Sequence, residues 1–237
     1  YVDEQTTDCY RRLIQQRIQR IPLQYLIGFQ EFWSLDFKVT PAVLIPRPET
    51  EFLLEQVVRV CSEEQVSSAL DLCTGSGVIA VVLARELNCS VTAVDISAAA
   101  LEIAAFNCNR HKVSHQVQLI CSDLFTAVRY SYSFDLIVSN PPYIAEEEMA
   151  ELQPEVRQSE PYLALSGGKG GLQCIERIAA EAFYFLRPGG WLFLEIGADQ
   201  KESVMRMFSV RASYYDKVHV LNDWADRPRV LQARRRL

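Results

Sequence analysis

From Ser68 onward the chain alternates short apolar runs with amphipathic stretches, and this alternation constrains the fold more than any other feature. Ala69-Leu70-Asp71-Leu72-Cys73 reads as a buried strand, Thr74-Gly75-Ser76-Gly77 as a turn and Val78 to Leu87 as a helix. Val91-Thr92-Ala93-Val94-Asp95 is a second strand, with Ala98 to Asn109 as its helix. Val117 to Ile120, Phe134 to Ser139 and Trp191 to Ile196 supply further strands, and Gln173 to Leu186 a helix before a turn at Arg187-Pro188-Gly189-Gly190. Short apolar runs of this kind suit strands covered on both faces. The pattern predicts a doubly wound parallel sheet with helices on both sides. A helix after Ala198, then strands near Tyr214 to Leu221 and Arg229 to Ala233, close it.

Such sheets bind ligands at the carboxyl ends of their strands. Gly75-x-Gly77-x-x-Ala80 opens a helix after a strand, and Asp95 ends the next strand, 20 residues after Gly75. This spacing fits a dinucleotide and S-adenosylmethionine equally, since in both the glycines admit close backbone approach and the acid accepts from ribose hydroxyls. Three features favour the sulfonium. Asp71 can receive its ammonium, directly or through water, where a pyrophosphate would be repelled. In Ser122-Asp123-Leu124, Asp123 can accept from the adenine amine while Leu124 packs on the ring. The third feature follows the fourth strand.

That feature is Ser139-Asn140-Pro141-Pro142-Tyr143. The two prolines fix φ, donate no N–H and bar the preceding residues from helical geometry. The Asn140 side-chain oxygen and the Pro141 carbonyl can then accept both hydrogens of a planar NH2 group while Tyr143 packs on its face. Such a cluster suits alkylation of an amide or aromatic amine nitrogen, by positioning and by density pushed back onto nitrogen. Taken alone, the same residues also describe a strand-ending turn.

With 237 residues, 49% of them hydrophobic, the chain can bury a full core. A net charge of −6 argues against a broad nucleic-acid footprint. Arg234-Arg235-Arg236 is the one basic run and reads as a solvated tail. Seven cysteines, scattered singly without C-x-x-C spacing, fit a reducing, cytoplasmic setting. No apolar run approaches the ~20 residues of a membrane helix. The opening Tyr1-Val2-Asp3-Glu4 carries no secretory address and reads as a fragment or processed end. Thr7 to Arg20 reads as a helix ended by Pro22, and Phe29 to Thr40 contains an alternating strand that forms one arm of a hairpin. Ile45-Pro46-Arg47-Pro48-Glu49-Thr50-Glu51 leads into another helix, where Glu49 and Glu51 are most simply complements to the helix dipole.

Asp71-Leu72-Cys73-Thr74-Gly75-Ser76-Gly77 together with Asn140-Pro141-Pro142-Tyr143 resembles the seven-strand, Rossmann-like S-adenosylmethionine-dependent methyltransferases of planar nitrogen. The Pro46 to Glu51 segment, Pro22-Leu23-Gln24-Tyr25-Leu26-Ile27-Gly28 and Arg187-Pro188-Gly189-Gly190 narrow the resemblance to the HemK/PrmC family, the N5-glutamine methyltransferases of peptide chain release factors. It runs from about Arg20 to the end. The resemblance implies methyl transfer from S-adenosyl-L-methionine, leaving S-adenosyl-L-homocysteine, to the glutamine amide of the Gly-Gly-Gln loop of class 1 release factors. It implies cofactor contacts at Cys73, Thr74, Gly75, Ser76, Gly77, Asp95, Leu124 and Asn140, to which Asp123 is added from its position. It assigns the glutamine amide to Asn140, Pro141, Pro142 and Tyr143, bordered by Pro46, Arg47, Pro48 and Glu49. Residues 1–28 would then end an N-terminal helical substrate-binding domain that is longer in the family, 29–45 form a hairpin linker and 46–237 the methyltransferase domain. The expected chain is a monomer with no membrane and no direct nucleic-acid contact.

Cys73 stands where the family usually has glycine, and Leu124 where an aromatic is common, which weakens stacking on adenine. The nearest rival is an amino-methyltransferase of adenine or guanine in RNA or DNA; a nicotinamide dehydrogenase and a non-catalytic cofactor-binding subunit are the others. His111 and His115 have helical spacing but no third ligand in sight, so no metal is expected. Ser166-Gly167-Gly168-Lys169-Gly170-Gly171 lacks the Ser/Thr of a phosphate loop and reads as a flexible segment at the pocket mouth. Trp33 and Trp191 read as core.

Overall fold

The computed structural model describes residues 3–129 and 133–237, so the opening Tyr1-Val2 lies outside the described residues. Two helices come first, α1 (Glu4–Ile18) and α2 (Leu23–Ile27), then an antiparallel hairpin of β1 (Phe29–Phe32) and β2 (Leu35–Lys38). Asp3 caps α1, its Oδ1 accepting from the Thr6 N–H at 2.7 Å. The alternating Leu35, Phe37 and Val39 form the second arm, and the turn between the arms is Trp33-Ser34, both at φ 55°. That left-handed conformation disfavours such side chains, and two carboxylates hold it. The Trp33 N–H donates to Glu51 at 2.6 Å and the Ser34 N–H to Glu31 at 2.8 Å. Glu51 lies in α3 (Pro48–Cys61), so beyond complementing the helix dipole it fastens the hairpin to the main domain.

The predicted alternation then unfolds in order: β3 (Ser68–Leu72), α4 (Val78–Glu86), β4 (Ser90–Asp95), α5 (Ala98–Arg110), β5 (Val117–Cys121) and β6 (Phe134–Ser139). A long connection carries two short helices, α6 (Pro154–Ser159) and α7 (Tyr162–Leu165). After it come α8 (Gln173–Phe185), β7 (Leu186–Glu195), α9 (Lys201–Ser209), β8 (Tyr215–Asn222) and β9 (Pro228–Arg235). The seven strands lie in the order β5-β4-β3-β6-β7-β9-β8. The first five are mutually parallel, and β9 runs antiparallel between β7 and β8. Strand order reverses between β3 and β6, the switch point at which doubly wound sheets open a crevice. Leu72 pairs with Ser139 there, so Cys73 and Asn140 leave the sheet side by side.

The central strands are buried on both faces, and their side chains alternate between the two with a period of two. Ala69, Leu136, Val138 and Phe193 pack with α3 and α4 on one face, while Leu70, Leu72, Ile137, Leu192 and Leu194 pack with α8 and α9 on the other. Trp191 is buried, as expected, and Trp33 packs half-buried at the margin of the first cluster. Among the described residues no helix is long and apolar enough to cross a membrane, and the seven cysteines are all free.

Two expectations are corrected at the far edge. Arg187-Pro188-Gly189-Gly190 is not a turn before the strand but a bulge within it, because Leu186 already pairs with Phe134 and pairing resumes at Trp191 with Leu136. The basic run is not a solvated tail. Arg234 donates to the Gly189 carbonyl at 2.8 Å, Arg235 to the Leu186 carbonyl and Arg236 to the Ala212 carbonyl at 2.7 Å, so the cations satisfy carbonyls that the bulge and the loop before β8 leave unpaired. A Cβ at Gly190 would stand 3.0 Å from the carbonyl oxygens of Arg187 and Asp135 and 3.1 Å from that of Phe134. Gly190→Ala is therefore expected to cost about 1–3 kcal/mol, at about 2–4 °C of melting temperature per kcal/mol. Thermal unfolding reads this, and an unchanged midpoint would show that the bulge opens freely.

Candidate active site

At the switch point lies a cavity of about 320 Å3 whose lining includes Cys73 to Ser76, Asp95, Ser122 to Leu124, Asn140 and Pro142, with Pro46 and Thr50 from the segment that opens α3. The glycine turn is built from left-handed residues, Cys73 at φ 60°, Gly75 at 53° and Gly77 at 82°. Residue 73 thus occupies a conformation natural to glycine, and a side chain there costs about 1 kcal/mol or more. A Cβ at Gly77 would lie 3.1 Å from that of Ala104, whereas one at Gly75 would meet nothing within 4 Å and would stand in the cradle itself.

Asp71 is fully buried beneath this turn rather than in the cavity. Its Oδ2 accepts from the Thr74 hydroxyl at 2.5 Å and from the Ala80 N–H at 3.1 Å, and its Oδ1 has no partner. Of the two expected routes to a cofactor ammonium, direct or through water, its position beneath the turn does not offer the direct one, and its hydrogen bonds shape the turn. Burial pushes its pKa up to about 8 against those two hydrogen bonds.

Asp95 accepts from the Gly75 N–H at 2.8 Å and the Ser97 N–H at 2.9 Å, one donor to each oxygen. Each carboxylate oxygen keeps a second acceptor site, which suits a ribose diol in the cavity. Burial raises its pKa, opposed by those N–H donors. Leu124, 5% exposed and at φ 48°, lines the cavity as expected of a residue that packs on a ring. Asp123 lines it too, but both its oxygens are taken by Arg177 at 2.8 and 3.0 Å, so an adenine amine would have to share them with a guanidinium. Among the described residues lining the cavity Arg177 is the cation, and it is already paired. The open cradle at Gly75, the acceptors of Asp95 and the apolar Leu124 fit an adenosine-bearing sulfonium, and Arg177 is held by Asp123 rather than free for a pyrophosphate.

Asn140 sits at the cavity with its Nδ2 donating to the Thr50 hydroxyl at 2.9 Å. Thr50 in turn donates to Glu195 Oε2 at 2.7 Å, and the Tyr143 hydroxyl donates to Glu195 Oε1 at 3.2 Å. Glu195 is wholly buried, which pushes its pKa up to about 7 despite the Thr50 bond and the charge of Arg229. Pro142 reaches the cavity, while Gly77, Pro141, Tyr143, Arg47, Pro48 and Glu49 are not among the lining residues. Tyr143 packs at the edge of the apolar cluster beneath the sheet, and its phenol pKa is raised by burial and by Glu195. Arg47 turns to Glu160, 2.5 Å away, whose other oxygen accepts from the Ile45 N–H at 3.3 Å, tying the Pro46 segment to the loop between α6 and α7.

The glycine-rich segment is not a loose flap. Its Gly167 N–H donates to the Ile144 carbonyl at 2.9 Å, and Cβ atoms at Gly167 and Gly171 would lie 2.7 Å from the Pro142 carbonyl oxygen and 2.1 Å from that of Tyr143. Only glycine lets the two backbones approach so closely. Gln200 locks them together, its Nε2 donating to the carbonyls of Tyr143 at 2.8 Å and Gly171 at 3.2 Å. His111 packs on Phe37 with ring centroids 4.7 Å apart.

Sequence reasoning missed Thr50 as a partner of Asn140, and missed Glu195, Gln200 and Arg177 altogether. A signal existed for Glu195: it is the acid that ends an otherwise apolar strand, as Asp95 does. Both Asp71 and Glu195 bind a proton more tightly folded than unfolded, so their contribution to stability is full below their ordinary values near 4 and is lost as pH rises through about 7 to 8. Stability is therefore expected to fall between about pH 5 and 8, and Asp71→Asn to flatten the slope. Urea midpoints across that range measure it; an identical slope in the variant would mean that Asp71 is ionised in the folded chain.

A family model described as Methyltransferase small domain matches residues 48–169, from the start of α3 into the glycine-rich segment. The fold is that of a methyltransferase from Pyrococcus furiosus, with a TM-score of 0.66 at 23% identity over 94% of this chain and 100% of that one. The release factor glutamine methyltransferase of Koribacter versatilis is 46% identical over 208 residues, 86% of this chain and 73% of that protein. That of Gloeobacter violaceus is 42% identical over 229 residues, 96% of this chain and 78% of that protein. Similarity of this depth over most of the chain shows that the chain belongs to the release factor glutamine methyltransferase family.

Proposed function

We propose that this chain methylates the side-chain amide nitrogen of the glutamine in the Gly-Gly-Gln motif of class 1 peptide chain release factors, with S-adenosylmethionine as donor. The observation that carries the reading is the orientation of Asn140. Its NH2 end is tied to Thr50, which leaves its oxygen as an acceptor at the cavity, on backbone stiffened by Pro141 and Pro142. A primary amide is a planar NH2 group with a delocalised lone pair. Accepting one or both of its hydrogens aligns the nitrogen and returns electron density to it. Held at Gly75, Asp95 and Leu124, the cofactor supplies an electrophilic methyl group. Asn140 and the Pro141 carbonyl orient the amide with Tyr143 packing on it; as the N–C bond forms the sulfonium–methyl bond breaks to leave S-adenosyl-L-homocysteine, and one N–H proton is released.

The same reading takes α1 and α2 as the end of a helical substrate-binding domain, residues 29–45 as a linker and 46–237 as the catalytic domain, working as a monomer in the cytoplasm. Free cysteines throughout the described residues support a reducing compartment.

The test is to incubate the chain and its Asn140→Ala variant with S-adenosylmethionine and an unmodified release factor, then map methyl groups by peptide mass spectrometry. One methyl on the Gly-Gly-Gln glutamine is expected, with the rate lowered about 100-fold or more in the variant. A release factor left unmethylated by a chain that binds the cofactor would overturn the proposal and direct attention to nucleobase amines.

A further inference from the structure

The two ends of an Asn carboxamide have nearly the same shape but opposite hydrogen-bonding character. At Asn140 the difference decides the chemistry, because an NH2 end turned to the cavity would face the NH2 of an amide substrate donor to donor. Thr50 alone does not choose between them, since its hydroxyl both donates and accepts. The choice is made one step further back. Above the pKa of about 7 to which burial raises it, Glu195 is charged and only accepts; its Oε2 lies 2.7 Å from the Thr50 oxygen, so the Thr50 proton is committed there. The Thr50 lone pairs then face Asn140 and select Nδ2, 2.9 Å away. The Tyr143 hydroxyl engages the other Glu195 oxygen at 3.2 Å, which keeps the carboxylate from turning. The charge of Arg229 acts on Glu195 in the opposite sense to that of Glu49, and Arg229 is itself anchored to the Ile196 carbonyl at 3.1 Å and to Asp223 at 3.3 Å.

From this directional chain we infer that Thr50 and Glu195 are positioning residues: Glu195 polarises Thr50, and Thr50 holds the Asn140 oxygen toward the substrate amide. The inference rests on the function proposed above for its catalytic consequence, and on the unliganded chain for its structural one. Thr50 is 3% exposed and Glu195 0%, and both lie outside the strand-end motif that carries Asn140.

The experiment uses the full chain as wild type, Thr50→Ser, Thr50→Val and Glu195→Gln. Thr50→Ser keeps the hydroxyl, Thr50→Val removes it at nearly constant shape, and Glu195→Gln introduces a donor where the network needs acceptors. Steady-state methylation of a release factor is expected to show kcat lowered about 10- to 100-fold in Thr50→Val and Glu195→Gln and within about threefold of wild type in Thr50→Ser. KM for the release factor and calorimetric affinity for S-adenosylmethionine are expected to stay within about threefold of wild type in all of them. Independently of turnover, the Asn140 side-chain amide resonance, assigned by its loss in Asn140→Asp, is expected to exchange with solvent faster in Thr50→Val than in wild type or Thr50→Ser. Wild-type kcat in Thr50→Val, equal losses in the Ser and Val variants, or unchanged amide exchange would overturn the positioning role. Loss of cofactor affinity alongside kcat would replace it with a structural one. A wild-type chain that leaves the release factor unmethylated overturns the functional reading and the catalytic role together, and the amide exchange still decides whether the hydrogen-bond chain exists.

Discussion

Asp71 reaches from the carboxyl end of a central strand to Thr74 and Ala80, and through those two bonds a single buried side chain shapes both the glycine turn and the start of α4. The first N–H groups of any helix lack partners within it, and here one of them is answered from inside the sheet. The left-handed residues 73, 75 and 77 can then fold the backbone so that the Gly75 N–H points at Asp95. Cradle, diol acceptor and helix start are thus not separate features. Each is positioned by the one before it, and the series starts from a carboxylate whose pKa burial and the nearby charge of Asp95 both raise.

A second buried carboxylate does comparable work on the other side of the switch point. Glu195 ends β7, and β7 is an interior strand only because the β8–β9 hairpin folds back antiparallel against it. That arrangement removes Glu195 from water and gives its two oxygens fixed hydroxyl partners, Thr50 from α3 and Tyr143 from the segment after β6. Elements distant in the chain are joined at one acceptor. The antiparallel edge, which contributes nothing to the cavity lining, therefore matters to the site through the strand it covers.

Much of this was legible in the sequence, and what was not has a physical reason. The strand–helix alternation, the turn at Cys73 to Gly77, Asp95 and the Asn-Pro-Pro-Tyr strand end are local signals, readable from neighbouring residues. The lining residues among them do converge on one cavity. What the sequence does not announce is which partner a polar group meets. Asp71 meets Thr74 and Ala80 only when α4 folds back over the turn. The Tyr143 hydroxyl meets a carboxylate 52 positions away, a partner that no local signal announces. The glycine-rich segment was read as flexible because glycine permits both mobility and close approach, and only the carbonyls of Pro142 and Tyr143 reveal which applies. The three terminal arginines read as solvated because the carbonyls they satisfy belong to a bulge and a loop that local patterning does not announce.

The connection between β6 and α8 has its two ends stitched together: Ile144 bridges Ser166, the Ile144 N–H donates to the Leu165 carbonyl at 3.0 Å and the Gly167 N–H returns to Ile144 at 2.9 Å. Topologically this makes residues 145–165 a ring closed at its neck. The entropy of closing such a ring grows only logarithmically with its circumference, by about 0.6 kcal/mol for each doubling. Away from Glu155 and Glu160, which pair with Arg17 and Arg47, and from the cavity-lining Pro161, Leu163 and Ala164, changes of length in the ring are therefore thermodynamically cheap and leave the neck, with Asn140 to Tyr143 behind it, undisturbed. Evolution can remodel the surface next to the cavity in length as well as in sequence while the acceptors for the amide stay where they are, so partner recognition and methyl-transfer geometry can diverge independently in one fold.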